Sequence, residues 1–231
     1  PSSAAKGQSG RVIRFAPARN GLSWMLWRVP ASRQTLRHCV GMTKRTPIPN
    51  HVIGVPLARR DLDMWDVPRS RVRSADVSHP FRGVHVVGGT SEALRDRCEA
   101  LAALLRPDEA FSHTTAAALY GAPLPRARDT RIHVITSEAN RMRRPGVVGH
   151  RAHSIPLVLH LGLPVVAPAH VFAQLGSMLG HDDLVAVGDF LVTPNRRNAT
   201  PALTDRPALA AAIHPGARGA KRARSALGDV R

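Results

Sequence analysis

Ser112, His113, Thr114 and Thr115 form the segment of this chain best equipped for nucleophilic chemistry, because a hydroxyl activated by an imidazole can attack a carbonyl or phosphoryl centre. The pattern is incomplete. Side chains adjacent in sequence seldom face one another, and a triad needs an orienting acid that the sequence does not identify. A structural part fits better: the hydroxyls are expected to cap a helix, and Ala116, Ala117 and Ala118 to allow close packing against a sheet. Metal-dependent phosphodiester cleavage meets a compositional obstacle. It uses carboxylates that hold a divalent ion, commonly with a lysine two residues after one of them. Here the three lysines, Lys6, Lys44 and Lys221, follow Ala4, Met42 and Gly219 at that spacing. Glu138 is the last glutamate, and Asp182, Asp183 and Asp189 are expected to start and decorate a helix, where acids favour the N-terminal dipole. His150-x-x-His153 with His160 has no neighbouring carboxylate or cysteine, which predicts surface histidines at a sheet edge or loop. Neither GxxxxGK[ST] nor GxGxxG occurs. The expectation is therefore no catalytic residue, no metal ligand and no cofactor.

What remains is charge. The chain of 231 residues carries a formal +17 and a pI near 11.7, which points to a polyanionic partner. Residues 1–41 contribute seven of those charges (Lys6, Arg11, Arg14, Arg19, Arg28, Arg33, Arg37) and no acid, leaving +10 for the remainder. Nearly all the basic residues are arginine, a bias that a GC-rich genome also produces. Hydrophobic residues at 43% suffice for one good core or two small ones, and aromatics at 4% leave that core to Leu, Val and Ala. No apolar run approaches the ~20 residues of a membrane span. Cys39 and Cys98 form neither a disulfide framework nor a CxxC pair, as expected of a cytoplasmic protein.

The elements that would position these charges follow from periodicity and punctuation. Residues 1–41 have no regular period and are interrupted by Gly7, Gly10, Pro17, Gly21 and Pro30, which predicts a disordered basic arm or upstream sequence read in frame before Met42. Leu57, Asp61, Leu62 and Trp65 fall at helical spacing. Asp66 is placed to cap a second helix from Pro68 to about Ala75 that turns Arg69, Arg71 and Arg73 outward. Phe81 to Val87 alternates as a strand and Gly88-Gly89 ends it. Helix, turn, helix and strand outline a winged-helix-like unit over residues 42–90. Arg69, Ser70, Arg71 and Arg73 would then face a major groove, with Arg82 on the wing. A linker helix is predicted over 91–106, capped by Ser91, with Leu94, Cys98, Leu101, Leu104 and Leu105 as its apolar stripe. Residues 107–231 read as a small mixed α/β domain. Its helices are expected at 114–120 (ended by Gly121), 169–178, 182–191, 206–213 and 217–227, and its strands at 131–136, 146–150 and 163–166. Arg141, Arg143 and Arg144 fall in an expected hairpin loop, and Arg218, Lys221, Arg222 and Arg224 crowd the last helix as a second polyanion-binding candidate.

Three segments carry a resemblance: Pro80-Phe81-Arg82-Gly83-Val84-His85-Val86, Ser112 through Gly121, and Gly162-Leu163-Pro164-Val165-Val166. With them, most of 42–231 resembles the front portion of actinobacterial proteins that join an AbiEi-type (type IV toxin–antitoxin) antitoxin-like region to a Vsr-like endonuclease domain. The resemblance implies a natural start near Met42 and a chain that ends at Arg231 where such a nuclease would begin. It also implies an α+β protein that binds double-stranded DNA without catalysis, as an abortive-infection antitoxin or regulator. Two alternatives stand beside it. One is the truncated targeting portion of a Vsr-like endonuclease, whose nuclease domain is lost or separate. The other is an antitoxin module that acts on a cognate toxin by protein contact, with no DNA binding.

Overall fold

The structure is a computed structural model that describes residues 47–89, 92–126, 130–195 and 200–231. The expected basic arm, the start at Met42 and the Ser91 cap lie outside the described residues. The protein is α+β, with six helices and two sheets among the described residues. No described helix is long and apolar enough to cross a membrane.

Strands β1 (Leu57–Ala58), β2 (Val77–Ser78) and β3 (Val84–Val87) form a small antiparallel sheet in the order β1-β3-β2. Between β1 and β2 the chain makes three short 3-10 turns, Arg59–Asp61, Asp63–Trp65 and Arg71–Arg73, where two α-helices were expected. Asp66 does not cap a helix. It adopts the left-handed conformation, φ 52°, and closes the turn before it. Pro68 disfavours helical geometry at Val67, so the segment is cut into pieces too short to nucleate an α-helix. Val52, Leu57, Leu62 and Val67 make a small core beneath these turns. All four residues of β3 are buried, and Val84 and Val86 join the main core of the molecule together with Phe81.

Helix α1 (Leu94–Ala102) is shorter than predicted but buries the predicted stripe: Cys98 and Leu101 are fully covered, and Leu105 is nearly so. Burial pushes the Cys98 thiol up to about 12. Native protein at pH 8 should therefore leave Cys98 unlabelled by iodoacetamide, with modification appearing only in denaturant, as peptide mass spectrometry would reveal.

The larger sheet contains β4 (Glu109–Phe111), β5 (Ile132–Thr136), β6 (Val147–Arg151), β7 (Leu157–His160) and β8 (Leu163–Val166), in the order β6-β5-β4-β8-β7. β4 pairs antiparallel with β5 and parallel with β8. β5 and β6 are parallel, so the connection between them is no hairpin. Residues 137–146 must travel back along the sheet, and they cross directly over Gly149: a β-carbon there would lie 2.2 Å from the Met142 carbonyl oxygen. Helices α2 (His113–Tyr120), α3 (Pro168–Leu175), α4 (His181–Val192), α5 (Arg206–Ala212) and α6 (Ala220–Asp229) complete the core through Phe172, Leu175, Leu184, Leu191 and Leu209, all fully buried. Gly121 ends α2 in the left-handed conformation, φ 84°, and Asp182 and Asp183 occupy the first turn of α4, as the sequence predicts.

Candidate functional site

The turns between β1 and β2 border an open concavity of about 460 Å³, lined by Arg59, Leu62, Arg69, Ser70, Val72, Arg73 and His85. Chain geometry brings its cationic groups together from three places. Arg59 directly follows β1, and its N–H donates to Gly83 O (2.9 Å), which ties it to the β2–β3 turn carrying exposed Arg82. Arg69 and Ser70 lie on the turn after Pro68, and Arg73 ends the last 3-10 turn. His85 rises from the middle of β3, 9% exposed. Its Nδ1 lies 3.0 Å from His79 Nδ1, and its buried Nε2 has no hydrogen-bond partner. Burial, then the neighbouring His79 and Arg59, hold the His85 imidazole below its usual range.

Of the arginines the sequence places on a recognition helix, two line the concavity and one does not. Arg71 is 7% exposed and makes a two-pronged ion pair with Asp76, at 3.1 and 2.8 Å. It is a structural clamp between the last turn and β2, and it cannot reach a ligand without breaking that pair. Arg69 bonds Asp63 at 3.0 Å, but both side chains are largely exposed. Such a pair contributes about 0–1 kcal/mol and exchanges readily for a phosphate. Arg59 and Arg73 are exposed, with no ion pair among the described residues. The sequence reading missed Arg59 and His85. The former was legible only as a basic residue, and the latter as one position of an alternating strand.

The C-terminal cluster also divides. Arg218, Lys221 and Arg224 are exposed. Arg222 instead donates from Nη1 to Gly176 O (3.3 Å) and Leu179 O (2.9 Å), satisfying carbonyls at the end of α3. Arg222 is also exposed, and through Nη1 it joins α6 to α3. Arg144, expected on a hairpin, donates to Arg82 O at 2.9 Å and links the two sheets.

The Ser112 segment corrects a second expectation. No hydroxyl caps α2: the Ser112 side chain makes no capping bond, and Gln174 Oε1 accepts the His113 N–H instead (3.0 Å). Thr115 Oγ1 accepts from the His133 backbone N–H at 2.9 Å, fastening α2 to β5. Ser112 Oγ and His113 Nδ1 do meet, at 3.0 Å. His113 begins α2 with φ 51°, an uncommon conformation for a residue other than glycine. The surface histidines of the sequence reading separate: His153 is exposed, His160 donates from Nε2 to Leu119 O (3.0 Å), and His150 turns toward His113 and His133.

No family model matches the chain, and no curated protein matches it. Among solved structures, the chain is similar to the RV2827C protein from Mycobacterium tuberculosis, known from a crystal structure. The two are 18% identical, with a TM-score of 0.49 over 76% of this chain and 72% of that one.

Proposed function

We propose that this protein binds double-stranded DNA without cutting it, as an antitoxin-like regulator, and that the concavity bounded by Arg59, Arg69 and Arg73 grips a backbone phosphate. The observation that carries this reading is the convergence of three guanidinium-bearing side chains and Ser70 on one open surface. Guanidinium groups match phosphate oxygens in charge and geometry. Arg82, on the adjoining turn, and the exposed Arg218, Lys221 and Arg224 extend the cationic surface for a long polyanion. The net charge of +17 favours the same class of partner through counterion release. The absence of a carboxylate–x–lysine element from the sequence favours binding over cleavage.

Fluorescence anisotropy with a labelled duplex, measured across a series of salt concentrations, tests the assignment. Combined replacement Arg59→Ala, Arg69→Ala and Arg73→Ala should weaken binding about 100-fold at moderate salt and make the log–log salt slope shallower by about one, from the loss of one phosphate contact. Arg222→Ala should leave the slope unchanged. An unaltered slope in the triple variant sinks the assignment, and plasmid cleavage by the purified wild type in magnesium sinks the non-catalytic part.

A further inference from the structure

His113, His133 and His150 come from three separate elements, the first residue of α2 and the middles of β5 and β6, and their rings converge. In the parallel β5–β6 pair His133 stands opposite Val148, so His150, two residues on, shares its face of the sheet. His133 Nδ1 and His150 Nε2 are 2.9 Å apart. The His113 ring stacks on His150 at 3.8 Å between centroids, and the two sheet histidines stack at 5.1 Å. One ring nitrogen from each residue lies within 4.8 Å of those of the other two. We propose that these three imidazoles form a binding site for a borderline divalent transition-metal ion, Zn²⁺ or its neighbours Co²⁺ and Ni²⁺, which clamps the start of α2 to β5 and β6.

Ligand chemistry agrees with the geometry. Three nitrogens around a tetrahedral ion at 2.0–2.1 Å lie about 3.3 Å apart, so a separation at the 4.8 Å limit would close by about 1.5 Å. A metal takes only neutral imidazole, and burial, then repulsion among the histidines, holds His113 down to about 3 and His150 to about 4. The set is all nitrogen, which suits Zn²⁺, Co²⁺, Ni²⁺ or Cu²⁺ and not Mg²⁺ or Ca²⁺. His133 is 2% exposed, and His113 and His150 are partly covered. Ser112 Oγ, beside His113 Nδ1, is the nearby hydroxyl able to orient that ring. Arg141, on the β5–β6 connection, opposes a cation near His150, but its side chain is exposed and screened by water.

Titrating the full, metal-free chain with Co²⁺ is the direct test. One equivalent should bind and give a visible d–d absorption, which one equivalent of Zn²⁺ should then remove. Zn²⁺ should also raise the melting temperature by linkage. Both responses should vanish in His150→Gln and in His113→Asn, where asparagine tolerates the left-handed backbone, and should survive in His153→Gln and His160→Gln. Far-UV circular dichroism would verify that each variant is folded. No saturable binding by the wild type overturns the site, as does retention of the cobalt spectrum in folded His150→Gln. The latter would place the ion elsewhere in the chain and identify the trio as a hydrogen-bonded imidazole cluster. Neither result depends on whether the protein binds DNA.

Discussion

Replacing Gly219 by alanine is expected to lower the unfolding free energy by about 4 kcal/mol, combining left-handed backbone strain with overpacking. Gly219 precedes α6 with φ 86°, and a β-carbon on it would lie 2.3 Å from the backbone of both Gly176 and Ser177. Backbone at that distance cannot rotate aside as a flexible side chain would. The entry to α6 would have to withdraw from the end of α3, taking with it the bonds from Arg222 to Gly176 O and Leu179 O and the contact of buried Ala223. Gly216 is the control. It has φ 82° but open space around its would-be β-carbon, so Gly216→Ala should cost only the backbone term of about 1–2 kcal/mol. Urea denaturation followed by circular dichroism would measure both. Equal losses for the two variants would show that the α3–α6 contact is looser than described.

Arg106→Ala should cost about 1–2 kcal/mol, because the buried Glu109 carboxylate keeps only its backbone partner, while the arginine, 42% exposed, is partly screened by water. Glu109, at the start of β4, is 2% exposed, and its carboxylate accepts from Arg106 Nη2 at 3.1 Å and from the Arg106 backbone at 2.9 Å. The same guanidinium donates to Asn140 O at 2.5 Å and so also anchors the beginning of the β5–β6 connection. Close by, the Thr136 hydroxyl donates to Asp108 and accepts the Glu138 N–H. Removing the arginine alone strips Glu109 of its charge partner and frees a loop that must track back across Gly149. Replacing both residues by leucine should recover most of the loss, since desolvation of a pair offsets much of its attraction. A double-mutant cycle in urea would resolve the coupling, and additive losses would contradict it.

These two expectations could not be drawn from sequence, and the reason is instructive. The positions of α2 to α6 were legible because apolar residues recur at helical spacing and because Gly121 and the Asp182-Asp183 pair mark ends that local chemistry dictates. β5, β6 and β8 were legible within a residue or two. β4 and β7 were not: at three and four residues they carry too little alternation, and pairing with neighbours distant in sequence makes them strands. The helices expected between Leu57 and Ala75 failed for the opposite reason. A local period was present, but a left-handed Asp66 and the side-chain pairs Asp63–Arg69 and Arg71–Asp76 stabilise turns instead.

The amino-acid sequence by itself determined the balance of charge, the lack of a carboxylate–lysine cleavage element, the α+β class and the periodic helices, all of which depend on composition or on residues within a turn of one another. Tertiary structure decided which cations are available and which groups meet. Arg71 is taken up by an internal partner while Arg59 and Arg73 face solvent, and His113, His133 and His150 assemble across strands and a helix start. Charge is a property of a residue, whereas availability and convergence are properties of the packing around it.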